Sequence, residues 1–142
     1  MGHGTVEIGA ANFQQAVEKP GILLLDWWAS WCGPCRAFAP IYEEVAGKHA
    51  DVVFGKVNTE TEQALAGAFQ IRSIPTLMIF RDGVLLFSQP GMVPAEVLEE
   101  LVGKVKGLDM ARVKQEIAEH EKAAASAKPG PEQGATQGAS EG

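Results

Sequence analysis

Trp31-Cys32-Gly33-Pro34-Cys35 holds both cysteines of this 142-residue chain, with two residues between them. Thiols at that spacing can close into a small disulfide ring and open again. Upstream, Ile22-Leu23-Leu24-Leu25-Asp26-Trp27-Trp28 is nearly all apolar and reads as a central strand covered on both faces, interrupted by one carboxylate. Downstream, from Cys35 to about His49, Phe38, Ile41, Tyr42 and Val45 recur at i, i+3, i+4, i+7, as on the buried face of a helix. Pro40 lies inside that helix and predicts a kink. A Cys-x-x-Cys where a strand gives way to a helix is a redox arrangement with a physical reason. Free backbone N–H groups and the positive end of the helix dipole stabilise a thiolate on the first cysteine. The thiolate is the nucleophile of disulfide exchange. Cys32 is therefore expected to be the more exposed sulfur, with Cys35 one turn further in.

Two other uses of the pair fit less well. A purely structural disulfide here would close a very short loop, and short loops gain least from cross-linking. Zinc takes about four ligands, yet there is no second Cys-x-x-Cys, and His3, His49 and His120 are scattered. No metal is expected.

Bulk properties narrow the class. The length suggests one domain with residues to spare, and 46% hydrophobic residues suffice for a core. A net charge of −6 and a pI near 5.0 argue against a nucleic-acid surface. Apolar runs are strand-sized, too short to span a membrane. Met1-Gly2-His3-Gly4-Thr5 lacks the basic and apolar regions of a signal peptide. A cytoplasmic protein is expected, where two cysteines are more plausibly catalytic than structural.

The rest of the chain alternates. Thr5 to Ile8 is a short β-like run, and Asn12 is placed to cap a helix whose inner face is Phe13, Ala16 and Val17. Val52 to Val57 reads as a second buried strand. Thr59-Glu60-Thr61-Glu62 fits a capping box opening a helix with Leu65, Ala68 and Phe69 inward. Strand, helix, strand, helix, strand, helix implies parallel strands with right-handed crossovers. Then Thr76 to Phe80 and Val84 to Ser88 flank Asp82-Gly83 as a hairpin. Pro94 opens a helix with Leu98, Leu101, Val102 and Val105 inward. The expected fold is α/β: a central mixed sheet flanked by helices, βαβαβα then ββα. The domain is expected to span residues 1–107. A helical extension follows over 108–127, with Arg112 and Glu116 paired at i, i+4. Residues 128–142, made of Pro, Gly, Gln, Ala, Ser and Glu, have nothing to bury and predict a disordered tail.

Together these stretches resemble the thioredoxin family. The resemblance rests on Asp26-Trp27-Trp28-Ala29, Trp31-Cys32-Gly33-Pro34-Cys35-Arg36, Ala39-Pro40 and Ile74-Pro75-Thr76, with Asp82-Gly83 and Gly91 at the family's usual spacings. It covers roughly residues 5 to 106. Lys56-Val57-Asn58-Thr59-Glu60 and Ile71-Arg72-Ser73-Ile74-Pro75-Thr76 look like the second bacterial type, without the N-terminal zinc module that type often carries. Nothing transfers from the family to the extension after Gly107.

The resemblance implies a thioredoxin fold and a protein-disulfide oxidoreductase with no cofactor beyond the Cys32–Cys35 pair. Cys32 attacks a client disulfide and Cys35 resolves the mixed disulfide. Asp26 lies behind the cysteines and accepts the Cys35 proton, and Lys56 tunes Asp26. Gly33 and Pro34 shape the loop, and Gly-Pro goes with a reducing protein. The family pattern also implies a cis bond before Pro75, which exposes the Ile74 backbone to an extended substrate segment. Trp31, Gly91 and Met92 would complete the contact surface, with Trp28 in the core. From the residues alone, Asp26 also reads as a strand-end aspartate satisfied by backbone donors, and Lys56 as a solvated lysine. The implied partners are disulfide-containing clients and a flavin- and NADPH-dependent thioredoxin reductase, with no nucleic acid and no membrane, the protein itself a monomer. Two further functions remain open at this level. One is a disulfide oxidant or isomerase outside the cytosol; the other is a redox-inactive binding or chaperone subunit.

Overall fold

The computed structural model describes residues 4–127. The tail reading, from Lys128 on, lies outside them. In chain order the elements are β1 (Thr5–Glu7), α1 (Phe13–Glu18), β2 (Ile22–Trp28), α2 (Gly33–Lys48), β3 (Val53–Asn58), α3 (Gln63–Ala68), β4 (Thr76–Arg81), β5 (Val84–Pro90), α4 (Ala95–Lys106) and α5 (Met110–Ala127). The strands form one sheet in the order β1-β3-β2-β4-β5. β1, β3 and β2 are parallel; β4 runs antiparallel to β2, and β5 to β4. This is the expected thioredoxin fold, a mixed sheet whose parallel half comes from the crossovers and whose antiparallel half comes from the hairpin. Asp82 and Gly83 both sit at positive φ, 52° and 83°, as a two-residue hairpin turn requires. Asp82 Oδ1 also accepts the Gly21 N–H at 2.8 Å, tying the hairpin to the start of β2.

β2 is central, and its alternation divides the core in two. Ile22 and Leu24 face α2 and α4, packing with Phe38, Tyr42, Val45, Leu98 and Val102. Leu23, Leu25 and Trp27 face α1 and α3, against Phe13, Val17, Leu65 and Phe69. Asp26 shares the even-numbered face, beneath α2. That helix continues from Gly33 through Pro40 to Lys48, so the proline does not end it. Tyr42 donates to the Gly55 carbonyl at 2.8 Å, which fastens α2 to β3. At its far end α2 is held to α4 by a chain of polar contacts. Lys106 Nζ lies 2.9 Å from His49 Nδ1, and His49 Nε2 lies 2.6 Å from Glu99 Oε1.

Three local expectations are corrected. Asn12 precedes α1 but makes no capping bond to it. Its side chain instead accepts from the Gly9 N–H and donates to the Glu7 carbonyl, closing the loop before the helix. The Thr59–Glu62 capping box does not form: α3 begins only at Gln63, and the side chain of its N-cap, Glu62, makes no capping bond but accepts the Ala10 N–H at 3.0 Å. Asn58 Oδ1 takes the Glu60 N–H, Thr59 Oγ1 donates to the Trp28 carbonyl, and the Glu60 carboxylate is drawn to Ser30. Finally, Ala68 is exposed, and Ala66 takes its place on the inner face.

The chain parts into two compact units after Gly107, which closes α4. In the second, Asp109 Oδ1 accepts the Arg112 N–H at 3.2 Å, and Arg112 pairs with Glu116 at 3.1 Å along α5.

Candidate active site: a disulfide at a helix N-terminus

Cys32 is the N-cap of α2. Its backbone is extended, at φ −86° and ψ 114°, and Gly33 and Pro34 form the first helical positions. Pro34 loses nothing there, because first-turn N–H groups have no partner within the helix. Cys32 and Cys35 are joined in a disulfide. The Cys35 N–H donates to Cys32 Sγ at 3.2 Å. A thiolate on Cys32 would receive the same N–H in a charge-assisted bond, added to the helix dipole. Cys32 Sγ also lies 3.6 Å from the Ile74 carbonyl oxygen. In the disulfide this is a contact without a proton; a Cys32 thiol would donate across it.

The two sulfur residues are equally enclosed in this oxidised state, Cys32 at 4% and Cys35 at 3% exposure, against the expectation that Cys32 is the more open. The enclosure comes from Ala29, Trp28 and Ile74, which pack around the pair. Trp28 is thus a half-buried lid on the cysteines rather than part of the core; Trp27, at 0% exposure, is the core tryptophan. Trp31 stands out at 67% exposure and Met92 at 40%.

The Ile74–Pro75 peptide is cis. The Pro75 carbonyl accepts the Gly91 N–H at 2.7 Å, and Gly91 sits at φ +96°, a conformation that suits glycine. Ile74, Pro75 and Gly91 are thereby linked in one edge beside the disulfide. Met92 follows Gly91 in the same loop.

Asp26 is 0% exposed, and neither carboxylate oxygen has a hydrogen-bond partner among the described residues. The strand-end reading, with backbone donors satisfying it, is thereby overturned. Burial pushes its carboxyl up to about 7, with the Lys56 ammonium pulling the other way. Lys56 is the register partner of Asp26 on β3, and its Nζ lies 5.0 Å from the centre of the Trp28 ring. Trp28, two residues beyond Asp26 on the same face of β2, touches the cysteine cluster. The carboxyl therefore sits on the same face of the sheet as the disulfide, one step deeper.

One cluster was not anticipated. Glu60 accepts from both the Ser30 N–H, at 3.0 Å, and the Ser30 hydroxyl, at 2.8 Å. Arg36 Nη1 donates to the Ser30 carbonyl at 2.9 Å. Ser30 precedes Trp31-Cys32, so these bonds pin the active-site loop to the loop after β3 and to the first turn of α2. No short-range pattern joins Ser30 to a residue 30 positions away.

A Cys-x-x-Cys disulfide at a helix N-cap, with a buried carboxyl behind it, is the arrangement of a thiol–disulfide oxidoreductase. Residues 4–104 match the thioredoxin family model. A Streptomyces coelicolor protein named "Putative thioredoxin 2" is 48% identical over 117 residues, covering 82% of this chain and 87% of the relative. The thioredoxin of Alicyclobacillus acidocaldarius is 42% identical, covering 71% and 97%. Among solved structures, a point mutant of the Halobacterium salinarum thioredoxin superposes with a TM-score of 0.69 at 27% identity, covering 75% of this chain and 94% of that one. The chain belongs to the thioredoxin family, and it is a thioredoxin-type disulfide oxidoreductase.

Proposed function

We propose that this protein works in the reducing direction, on disulfides of client proteins, with Cys32 as the attacking group and Cys35 as the resolving one. The observation that supports this order is the Cys35 N–H aimed at Cys32 Sγ, which favours negative charge on Cys32. The Cys32 thiolate attacks one sulfur of the client disulfide, forming a mixed disulfide and releasing a client thiolate. Deprotonated Cys35 then attacks Cys32 Sγ, restoring the Cys32–Cys35 bond and releasing the second client thiolate. Two electrons pass to the client. Asp26 takes the Cys35 proton, for which a carboxyl poised near neutrality is suited; Lys56 tunes that affinity. The client strand lies against the Ile74 backbone beside Pro75, flanked by Trp31, Gly91 and Met92, with Gly33 and Pro34 keeping the rim low.

Family membership implies disulfide-containing clients and a thioredoxin reductase that recharges the pair. No described helix is long and apolar enough to cross a membrane. We read the protein as a cytoplasmic monomer; a reducing Gly-Pro pair suits a compartment where thiols are kept reduced.

Trapping tests the order of attack. Cys35→Ser leaves the nucleophile without its resolver, so mixed disulfides with clients accumulate through Cys32, while Cys32→Ser accumulates far fewer. Equal trapping by both variants refutes the assignment. No trapping by either folded variant points instead to a redox-inactive binding subunit.

A further inference from the structure

Glu7, Lys56 and Asp26 stand in one row across three parallel strands. Glu7 is the register partner of Lys56, and Lys56 of Asp26; such partners project from the same face of the sheet. Burial falls along the row, from Asp26 fully enclosed through Lys56 half-buried to Glu7 exposed. Glu7, Lys56 and Trp28, with Thr5 and Val6, line a cleft of about 200 Å³ on that face. Inside it the Lys56 ammonium rests over the Trp28 ring, and among the described residues no carboxylate forms a salt bridge with it.

A flexible lysine between two carboxylates of unequal burial divides its attraction between them, and moving toward one weakens its hold on the other. We propose that Glu7 is a positioning residue for the thiol–disulfide reaction: it holds the Lys56 ammonium while Asp26 is protonated and yields it when Asp26 is charged. The proposal rests on the reading of Asp26 as the acceptor of the Cys35 proton. A buried carboxylate without a partner is costly, so a charged Asp26 draws Lys56 inward. A neutral Asp26 offers no charge, and the cleft leaves the side chain free to turn to Glu7. By competing for Lys56, Glu7 keeps the proton affinity of Asp26 higher than Lys56 alone would allow. Among the described residues, α2 brings to that side the Tyr42 phenol, which burial and the Asp26 charge hold neutral, and the Cys35 thiol. From β4, the register partner of Asp26 is apolar Leu77.

The test is an NMR titration of the Asp26 side-chain carboxyl carbon in the full, reduced chain. Glu7→Gln is expected to lower the midpoint by about half a unit, roughly threefold in proton affinity. Glu7→Asp, which keeps the charge, is expected to leave it near the wild-type value. In a Lys56→Met background, Glu7→Gln is expected to move it by less than about a third of that shift. An unmoved or raised midpoint in Glu7→Gln overturns the proposal. So does an equal fall with and without Lys56, because Glu7 would then act as a bare charge through space. The catalytic role of Asp26 is judged separately, by insulin reduction in Asp26→Asn, and its failure would leave the titration result standing.

Discussion

Asp26 is where residue chemistry and stability meet. Its carboxyl is enclosed, without a hydrogen-bond partner, and protonates near 7 in the fold instead of near 3.8. Between those values the folded state holds a proton that the unfolded state has lost. Stability therefore falls as pH rises through this window, and levels off above it. About three units correspond to a cost on the order of 4 kcal/mol at pH 8. Asp26→Asn removes that cost, so the oxidised variant should be more stable than wild type by several kcal/mol at pH 8 and by much less at pH 4.5. Urea unfolding of both proteins at pH 4.5, 6 and 8 checks this; an equal gain at every pH would mean that Asp26 does not titrate in this window. The same substitution should slow insulin reduction, because the Cys35 proton loses its proposed acceptor. The proposed proton transfer from Cys35 would account for a residue that destabilises the fold at neutral pH.

At the scale of elements, the sheet and its covering helices were legible because each signal was local. The β2 run, the α2 spacing and Asp82-Gly83 all act within a few residues, and the structure follows them. The start of α3 was not legible. Asn58 and Glu60 have bonding partners that compete with the cap, and the partner of Glu60 is Ser30, far away in sequence. Gly55 is another long-range case. Within β3 it looks like a weak point, since glycine is poor in strands. A Cβ there would lie 2.7 Å from Ile8 Cγ1, 3.0 Å from Leu25 Cδ2 and 3.2 Å from the Leu24 carbonyl oxygen. The glycine lets Ile8 close over the sheet between β1 and β2. Gly55→Ala should therefore destabilise by about 1–3 kcal/mol, the usual range for overpacking a filled core, despite alanine's better strand entropy. Thermal unfolding would show it as a Tm lowered by several degrees; an unchanged or raised Tm would mean that Ile8 moves aside at no cost. Of the active site, the pairing of Cys32 with Cys35 at the start of α2 was readable, whereas the equal enclosure of the two cysteines and the bonds that pin the loop through Ser30 were not.

For the whole molecule, the question is what the second unit contributes. Every residue assigned to the chemistry, from Glu7 to Met92, lies in the first unit, which closes at Gly107. The family match ends at residue 104. The described part of the second unit is one 18-residue helix, α5, with its own capping bond at Asp109 and its own Arg112–Glu116 pair. It carries no cysteine and no group assigned to the proton path. A chain ending at Gly107 should thus reduce insulin at the full-length rate within about twofold, a difference below 0.5 kcal/mol in the barrier. Ending the chain at Ala127 should have no larger effect. Side-by-side insulin turbidity assays of the three lengths, with thioredoxin reductase and NADPH as the electron source, decide it. A tenfold loss on removing residues 108–142 would place the second unit in client binding or in recharging. Repeating the assay with dithiothreitol as the electron source would then tell those roles apart, because only a loss of recharging by the reductase is bypassed by a small dithiol.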